Sequence, residues 1–370
     1  MRPRGVAVVV RSSTTGMTSG GLGTSADVGV TAFSIDRENV AHLAVFAPNW
    51  LGDAVMALPA IADVRRAFAW ASIAMVARPS IAPLFDLVPD LDTTIVLPRD
   101  RAGRHQSIEA VRVRKFDAAL LFPNSFQSAL MAWQAGVPQR WGYRAGCRGP
   151  LLTRGVTRPP SGHQGAYYQH LVRDLGCDNG PLEPRIEPSP DVQRAAAELL
   201  SARGWDGHTC LVALAPGAAY GGAKRWPLAS FAAVADALVG DGVSVALVGS
   251  THDADAAAEL VRQMSRDNAL LVNLVGRTEL PVLAGVLAHC QALVTNDSGA
   301  MHIGAAVGVR VTAMFGPTDE HLTHPLGPGH EALTHRTWCR PCLLRECPLD
   351  HRCMRGIGVA AVLASVRRAL

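Results

Sequence analysis

The sequence predicts an α/β protein built from two doubly wound, parallel-sheet domains facing a central cleft. Three observations predict it. The chain has 370 residues, longer than one hydrophobic core usually serves. Short, continuous apolar runs alternate with stretches of helical apolar spacing, as in parallel strands covered on both faces by crossover helices. This Rossmann-like grammar occurs twice, on either side of a Pro- and Gly-rich stretch from Arg154 to Pro190, where Pro181, Pro184, Pro188 and Pro190 mark a linker.

Residues 1–40 come first and read as a disordered leader. Ser12 to Ala26 is rich in Ser, Thr and Gly and lacks the apolar surface that would offset the entropy of ordering. Gly5 to Val10 is too short for a signal-peptide core, so the expected compartment is the cytoplasm. The first domain spans residues 41–185. Leu43–Ala47 is its first strand, Asn49 to Asp53 the turn, and a helical pattern runs to Phe68, with Pro59 kinking it or marking its start. Ile73–Val76, Thr94–Leu97 and Ala118–Phe122 follow as strands, and a helix is expected at Tyr167–Leu175. The second domain spans residues 186–355. It opens with a helix at Asp191–Arg203, then strand Leu211–Ala215, helix Leu228–Leu238 and strand Val243–Val248. Helix Leu280–Ala288, strand Ala292–Thr295, helix Gly299–Val307 and strand Val311–Phe315 complete the pattern. A last helix within residues 356–370, with Arg367 and Arg368 outward, is expected to cross back to the first domain.

Composition narrows the function. Apolar residues are 48% and charged residues 18% of the chain, as in ordinary globular proteins, and no apolar run of about eighteen residues exists to span a bilayer. The net charge is +4. Between Arg99 and Arg158 stand eleven Lys/Arg against three acids, Asp100, Glu109 and Asp117. Such a stretch suits an anionic partner, the plainer alternative being a solvated basic face. With few aromatics interleaved, nucleic acid is a poor fit.

Three strand-to-helix turns carry chemistry. Pro216 to Pro227 contains small residues that let backbone N–H groups approach an anion, together with Lys224 and Arg225. Gly217 and Gly222 have P-loop separation, but Ala223 intrudes before Lys224 and no Ser or Thr follows to hold Mg²⁺. In Thr295-Asn296-Asp297-Ser298-Gly299-Ala300-Met301-His302, Asp297 or Ser298 can cap a helix whose remaining early N–H groups and positive end suit a diphosphate. In Asn49-Trp50-Leu51-Gly52-Asp53, a carboxylate stands where open α/β sheets place ligands, though from this segment alone the favoured reading of Asp53 is a helix cap. No G-x-G-x-x-G accompanies it, which argues against a nicotinamide dehydrogenase.

Together these turns, with Phe315-Gly316-Pro317-Thr318, resemble the ADP-heptose:lipopolysaccharide heptosyltransferase family from about Leu43 to Arg355, the lysine turn and the Asp297 turn being close to the type II kind. The resemblance implies a GT-B fold, an amino-terminal acceptor domain and a carboxyl-terminal sugar-nucleotide domain. It implies an inverting transfer of heptose from ADP-heptose to a lipopolysaccharide inner-core or related anionic glycolipid, with no metal and no cofactor. Membrane contact would come through the acceptor alone. Asp53 matches the family's proposed general base. Lys224, with Arg225 beside it, matches the lysine on the donor phosphates, and Asp297, Ser298, Gly299 and His302 match the donor-binding turn and helix. Asp253-Ala254-Asp255 reads as a pair of capping acids, with Asp253 within reach of a ribose. The least family-like segments, about Arg99–Arg114 and Arg140–Gly165, are expected to be acceptor loops.

Of eight cysteines, Cys339, Cys342, Cys347 and Cys353 crowd one segment. Their spacing, with His351 nearby, could hold zinc or an iron–sulfur cluster; reduced thiols or a local disulfide is the preferred reading. Two other functions stay open at this level: a GT-B epimerase of sugar nucleotides, which needs acid/base groups on the sugar, and a non-catalytic nucleotide-sugar or metal-binding protein.

Overall fold

The structure, a computed structural model, describes residues 8–11, 39–89, 91–98, 103–265 and 269–370. Its first strand, β1 (Val8–Arg11), lies where the sequence suggests a disordered leader. It pairs antiparallel with the edge of the second sheet; at the other end of the expected leader Val40 is fully buried in the core, and residues 1–7 and 12–38 fall outside the described residues. Six parallel strands form the first sheet: β2 (His42–Phe46), β3 (Ser72–Ala77), β4 (Thr93–Val96), β5 (Ala118–Leu121), β6 (Gln139–Tyr143) and β7 (Arg154–Val156). The second sheet comprises β8 (Leu211–Ala215), β9 (Ser244–Leu247), β10 (Leu271–Asn273), β11 (Ala292–Asn296), β12 (Arg310–Phe315) and β13 (Glu331–Thr334), again mutually parallel.

Spatial order is β4-β3-β2-β5-β6-β7 in the first sheet and β10-β9-β8-β11-β12-β13 in the second. Both are the 3-2-1-4-5-6 order of the Rossmann fold, and each reverses direction between its first and fourth strands. The reversals lie between β2 and β5 and between β8 and β11. Strand alternation explains the double coverage: Leu43 and Val45 enter one buried cluster, Ala44 and Phe46 another. The first of these clusters also holds Leu211, Ala213, Met301 and Ile303, so one apolar core runs from the first domain into the second.

Both expected loops contain ordered elements. Gly103–Arg112 is a helix, and β6 and β7 take up short parts of the Arg140–Gly165 stretch, the rest of which is mostly loop. Residues 99–102 lie outside the described residues. The basic residues there are also less available than their number suggests. Arg148 is fully buried and donates to the backbone carbonyls of Tyr143 and Pro123; burial lowers its guanidinium to about 10. Arg140 donates to the carbonyls of Leu151, Val137 and Pro138.

The last helix, Val359–Arg367, does not cross back. Its Val362 and Val366 join the core of the second domain with Val212 and Leu238. Arg367 pairs with Asp241 and Arg368 with Glu331. An apolar stripe beside the parent sheet is the nearest surface on which those residues can be buried. Within the Pro- and Gly-rich linker stretch the helix Gln164–Asp174 forms close to where helical spacing places it.

Candidate active site

The three turns singled out in the sequence follow β2, β8 and β11, the strands at or beside the reversals of the two sheets. They converge on one cavity of about 590 Å³ lined by Asp53, Lys224, Asp297, Ser298, Gly299 and His302, among others. The domains meet there through two helix starts. A Cβ on Gly52 would stand 2.7 Å from His302 Cδ2, and one on Gly299 2.9 Å from Leu51 Cδ2. Glycine at both positions leaves room for that close approach, which brings the helix carrying Asp53 onto the helix Gly299–Val307.

Asp53 stands in the first turn of the helix Leu51–Met56, whose N-cap is Trp50. Its carboxylate therefore caps nothing; instead Oδ1 accepts a hydrogen bond from the Tyr168 hydroxyl at 3.2 Å. Burial pushes its carboxyl above the usual range, an effect opposed by the Tyr168 hydrogen bond and the Lys224 charge and reinforced by Asp297. Pro59 follows at the start of a second helix, Leu58–Ala67, as its fixed φ favours.

Lys224 and Asp297, brought from adjacent strands, form a buried ion pair with Nζ 2.5 Å from Oδ2 and side chains 12% and 6% exposed. Thr318 Oγ1 donates to the same Oδ2 at 2.7 Å, and Nζ lies 4.8 Å from the centroid of the Tyr220 ring. Asp297 is thus occupied in holding Lys224, and neither it nor Ser298 caps the helix through its side chain. Ser298 Oγ instead contacts Thr295 Oγ1 at 3.1 Å, so the early N–H groups of that helix are left without a side-chain cap. His302 is buried against Gly52, and burial lowers its imidazole to about 4, keeping it neutral. Arg225 does not join the site. It is exposed and absent from the cavity wall, because the turn that points Lys224 inward sends its neighbour outward.

Glycosyltransferase family 9 (heptosyltransferase) matches residues 104–352. The chain belongs to glycosyltransferase family 9. It is 31% identical over 294 residues to lipopolysaccharide heptosyltransferase 2 of Salmonella typhimurium, covering 76% of this chain and 84% of that protein. Among solved structures, Escherichia coli ADP-heptose lps heptosyltransferase II superposes with a TM-score of 0.77 at 27% identity, covering 89% of this chain and 98% of that one. A glycosyl transferase family 9 structure from Veillonella parvula gives 0.80 at 21% identity over 91% and 98% of the two chains, a likeness of fold. The architecture is GT-B, and the protein is an enzyme of the heptosyltransferase kind.

Other parts of this family 9 site extend the sequence reading. Asp253 closes a capping box with Ser250, accepting from its N–H at 2.9 Å and its hydroxyl at 2.8 Å. It also lines the cavity beside Val248, Thr278, Leu280 and Leu283, so it is both a capping acid and a wall residue. The cysteine-rich segment supplies a residue that sequence patterns did not single out. Arg345 lines the cavity and lies over the Tyr220 ring, its centroid 5.3 Å from Cζ. The segment grips the lysine turn: Ala223 N–H donates to the Arg345 carbonyl at 2.9 Å, Gly222 N–H to Glu346 at 2.9 Å, and the Tyr220 hydroxyl to the Leu343 carbonyl at 2.8 Å. Cys339, Cys342, Cys347 and Cys353 are free thiols around a separate cavity of about 20 Å³. Among the described residues, no group of three or more His, Cys, Asp or Glu is arranged to hold a metal ion. No helix among them is long and apolar enough to cross a membrane.

Proposed function

We propose that this family 9 enzyme transfers heptose from ADP-heptose to a lipopolysaccharide inner-core acceptor, with inversion, without a metal or other cofactor, at the cytoplasmic face of the membrane. The observation that carries the reading is that Asp53, Lys224 and the uncapped start of the helix Gly299–Val307 line one cavity between the domains. Asp53 takes the proton of the acceptor hydroxyl as its oxygen attacks the anomeric carbon. The bond from that carbon to the diphosphate breaks on the opposite face, and ADP leaves. Charge developing on the departing phosphate is stabilised by the Lys224 ammonium and the helix N-terminus, which is the work a divalent cation would otherwise do. The names of the relatives above, which specify heptose and lipopolysaccharide, support this donor and acceptor class.

Asp53→Asn tests the reading. Loss of a positioned general base costs about 10²- to 10⁴-fold in transfer, while ADP-heptose affinity stays within a few-fold because the lysine and helix start are untouched. Retained transfer would remove Asp53 as the base. Titration calorimetry with ADP-, UDP- and GDP-sugars tests the donor, and tight binding confined to UDP-sugars contradicts it. Transfer that collapses in EDTA contradicts the metal-independent mechanism.

A further inference from the structure

We infer that Tyr168 is a positioning residue for the reaction: its hydroxyl holds Oδ1 of Asp53 so that Oδ2 is presented as the proton acceptor. The inference rests on the base reading of Asp53 and deepens it. Tyr168 lies on the helix Gln164–Asp174, in the segment that connects the domains. Its hydroxyl donates to Asp53 Oδ1 at 3.2 Å, and no hydrogen bond to Oδ2 occurs among the described residues. A carboxylate anchored through one oxygen loses rotational freedom and leaves the other with its lone pairs for the incoming hydroxyl.

Three sets of contacts prevent Tyr168 from moving with Asp53. Its ring is buried and meets Phe122 edge-on, with centroids 5.3 Å apart at 81°. The preceding Tyr167 accepts a hydrogen bond at its hydroxyl from Asn124 Nδ2 at 2.7 Å. The next residue, Gln169, bolts the helix to the first domain: Nε2 donates to the fully buried Asp63 at 2.9 Å, and Asp63 also accepts from Gly180 N–H at 2.9 Å. Arg66 completes the charge balance of Asp63. Three successive side chains therefore fix the helix in rotation and along its axis, and the middle one delivers the hydroxyl.

The hydroxyl has an electrostatic effect as well. The groups acting on Asp53 are Tyr168 from this helix, Lys224 from the turn after β8 and Asp297 from the turn after β11. His302, packed on Gly52, is held neutral by burial. Of these, Tyr168 and Lys224 favour the ionised carboxylate, against burial and Asp297.

The test is the pH dependence of kcat/KM for transfer in the full-length protein. Tyr168→Phe keeps the ring and removes the hydroxyl. It should lower kcat about 10-fold or more at neutral pH, leave donor KM unchanged and move the acid limb up by about one pH unit, as loss of a charge-assisted hydrogen bond predicts. Fluorotyrosine placed at residue 168 alone, a stronger donor with nearly the same shape, should move the same limb down. This second variant keeps the test valid if Tyr168→Phe folds poorly. An acid limb that stays in place in both variants would overturn the inference, because a merely structural tyrosine lowers kcat without titrating the base. If Asp53→Asn is inactive while that limb is unmoved, only the role of Tyr168 fails. If Asp53→Asn remains active, the base reading itself fails.

Discussion

Replacing Lys224 with methionine separates donor recognition from stability in one experiment. Lys224 Nζ makes one contact at 2.5 Å, to Asp297 Oδ2, and an ammonium has three donors, so two remain for a diphosphate entering the cavity. Loss of a charged hydrogen bond costs about 1.5–3 kcal/mol, so ADP should bind about 10- to 150-fold more weakly. The substitution also leaves Asp297 buried with the Thr318 hydroxyl as its remaining side-chain donor. Breaking one side of such a pair costs about 3–5 kcal/mol, and the melting temperature should fall on the order of 10 °C. Asp297→Asn added to Lys224→Met removes the orphaned charge, so most of the stability should return while ADP affinity stays weak. Calorimetric titration with ADP and scanning calorimetry of the single and double variants measure both effects. Binding of ADP by Lys224→Met within two-fold of the wild type would refute the phosphate role. Stability losses that simply add in the double variant would refute the buried pair.

Two further outcomes follow from the same geometry. A Cβ at Gly221, where φ is +154°, would lie 2.3 Å from the Arg345 carbonyl oxygen; Gly221→Ala should therefore detach the cysteine-rich segment from the lysine turn, at about 1–3 kcal/mol. Faster hydrogen exchange at Ala223 and weaker ADP binding are expected, and unchanged exchange there would show that the contact does not brace the turn. His163, His302 and His330 are each lowered by burial to about 4, against about 6.5 in an unfolded chain. The unfolded state takes up these protons first, so the stability held by the neutral rings is complete above about pH 6.5 and is lost as pH falls toward 4. NMR titration should find none of the three protonated above pH 5, and a ring titrating near 6.5 would contradict its burial.

The legible part of this protein was local. Apolar runs such as Leu211 to Ala215 and the spacing of Leu280 to Ala288 read correctly because strand and helix periods are written in neighbouring residues. Three polar turns after buried strands were enough to place Asp53, Lys224 and Ser298-Gly299 at one cleft. Short or edge elements were not legible. Gln139–Tyr143 and Arg154–Val156 carry arginines that solvent tolerates at a sheet margin, and Leu271–Asn273 has three residues, too few to show a period. Arg225 was misread for a related reason: adjacent basic residues look alike in sequence, and the backbone turn alone decides which faces inward.

What the chain determined by itself was the order of strands and helices and the residue types at each turn, since these depend on steric preference and hydrophobic period within a few residues. What only the tertiary structure decided was which side chains meet. Asp53 and Tyr168 are 115 positions apart, and Lys224 and Asp297 are 73 apart. Each could have served as a cap, a surface charge or a core aromatic. Their contacts were set when packing excluded water and left each polar group with partners within reach, because a buried charge is stable only where another group satisfies it.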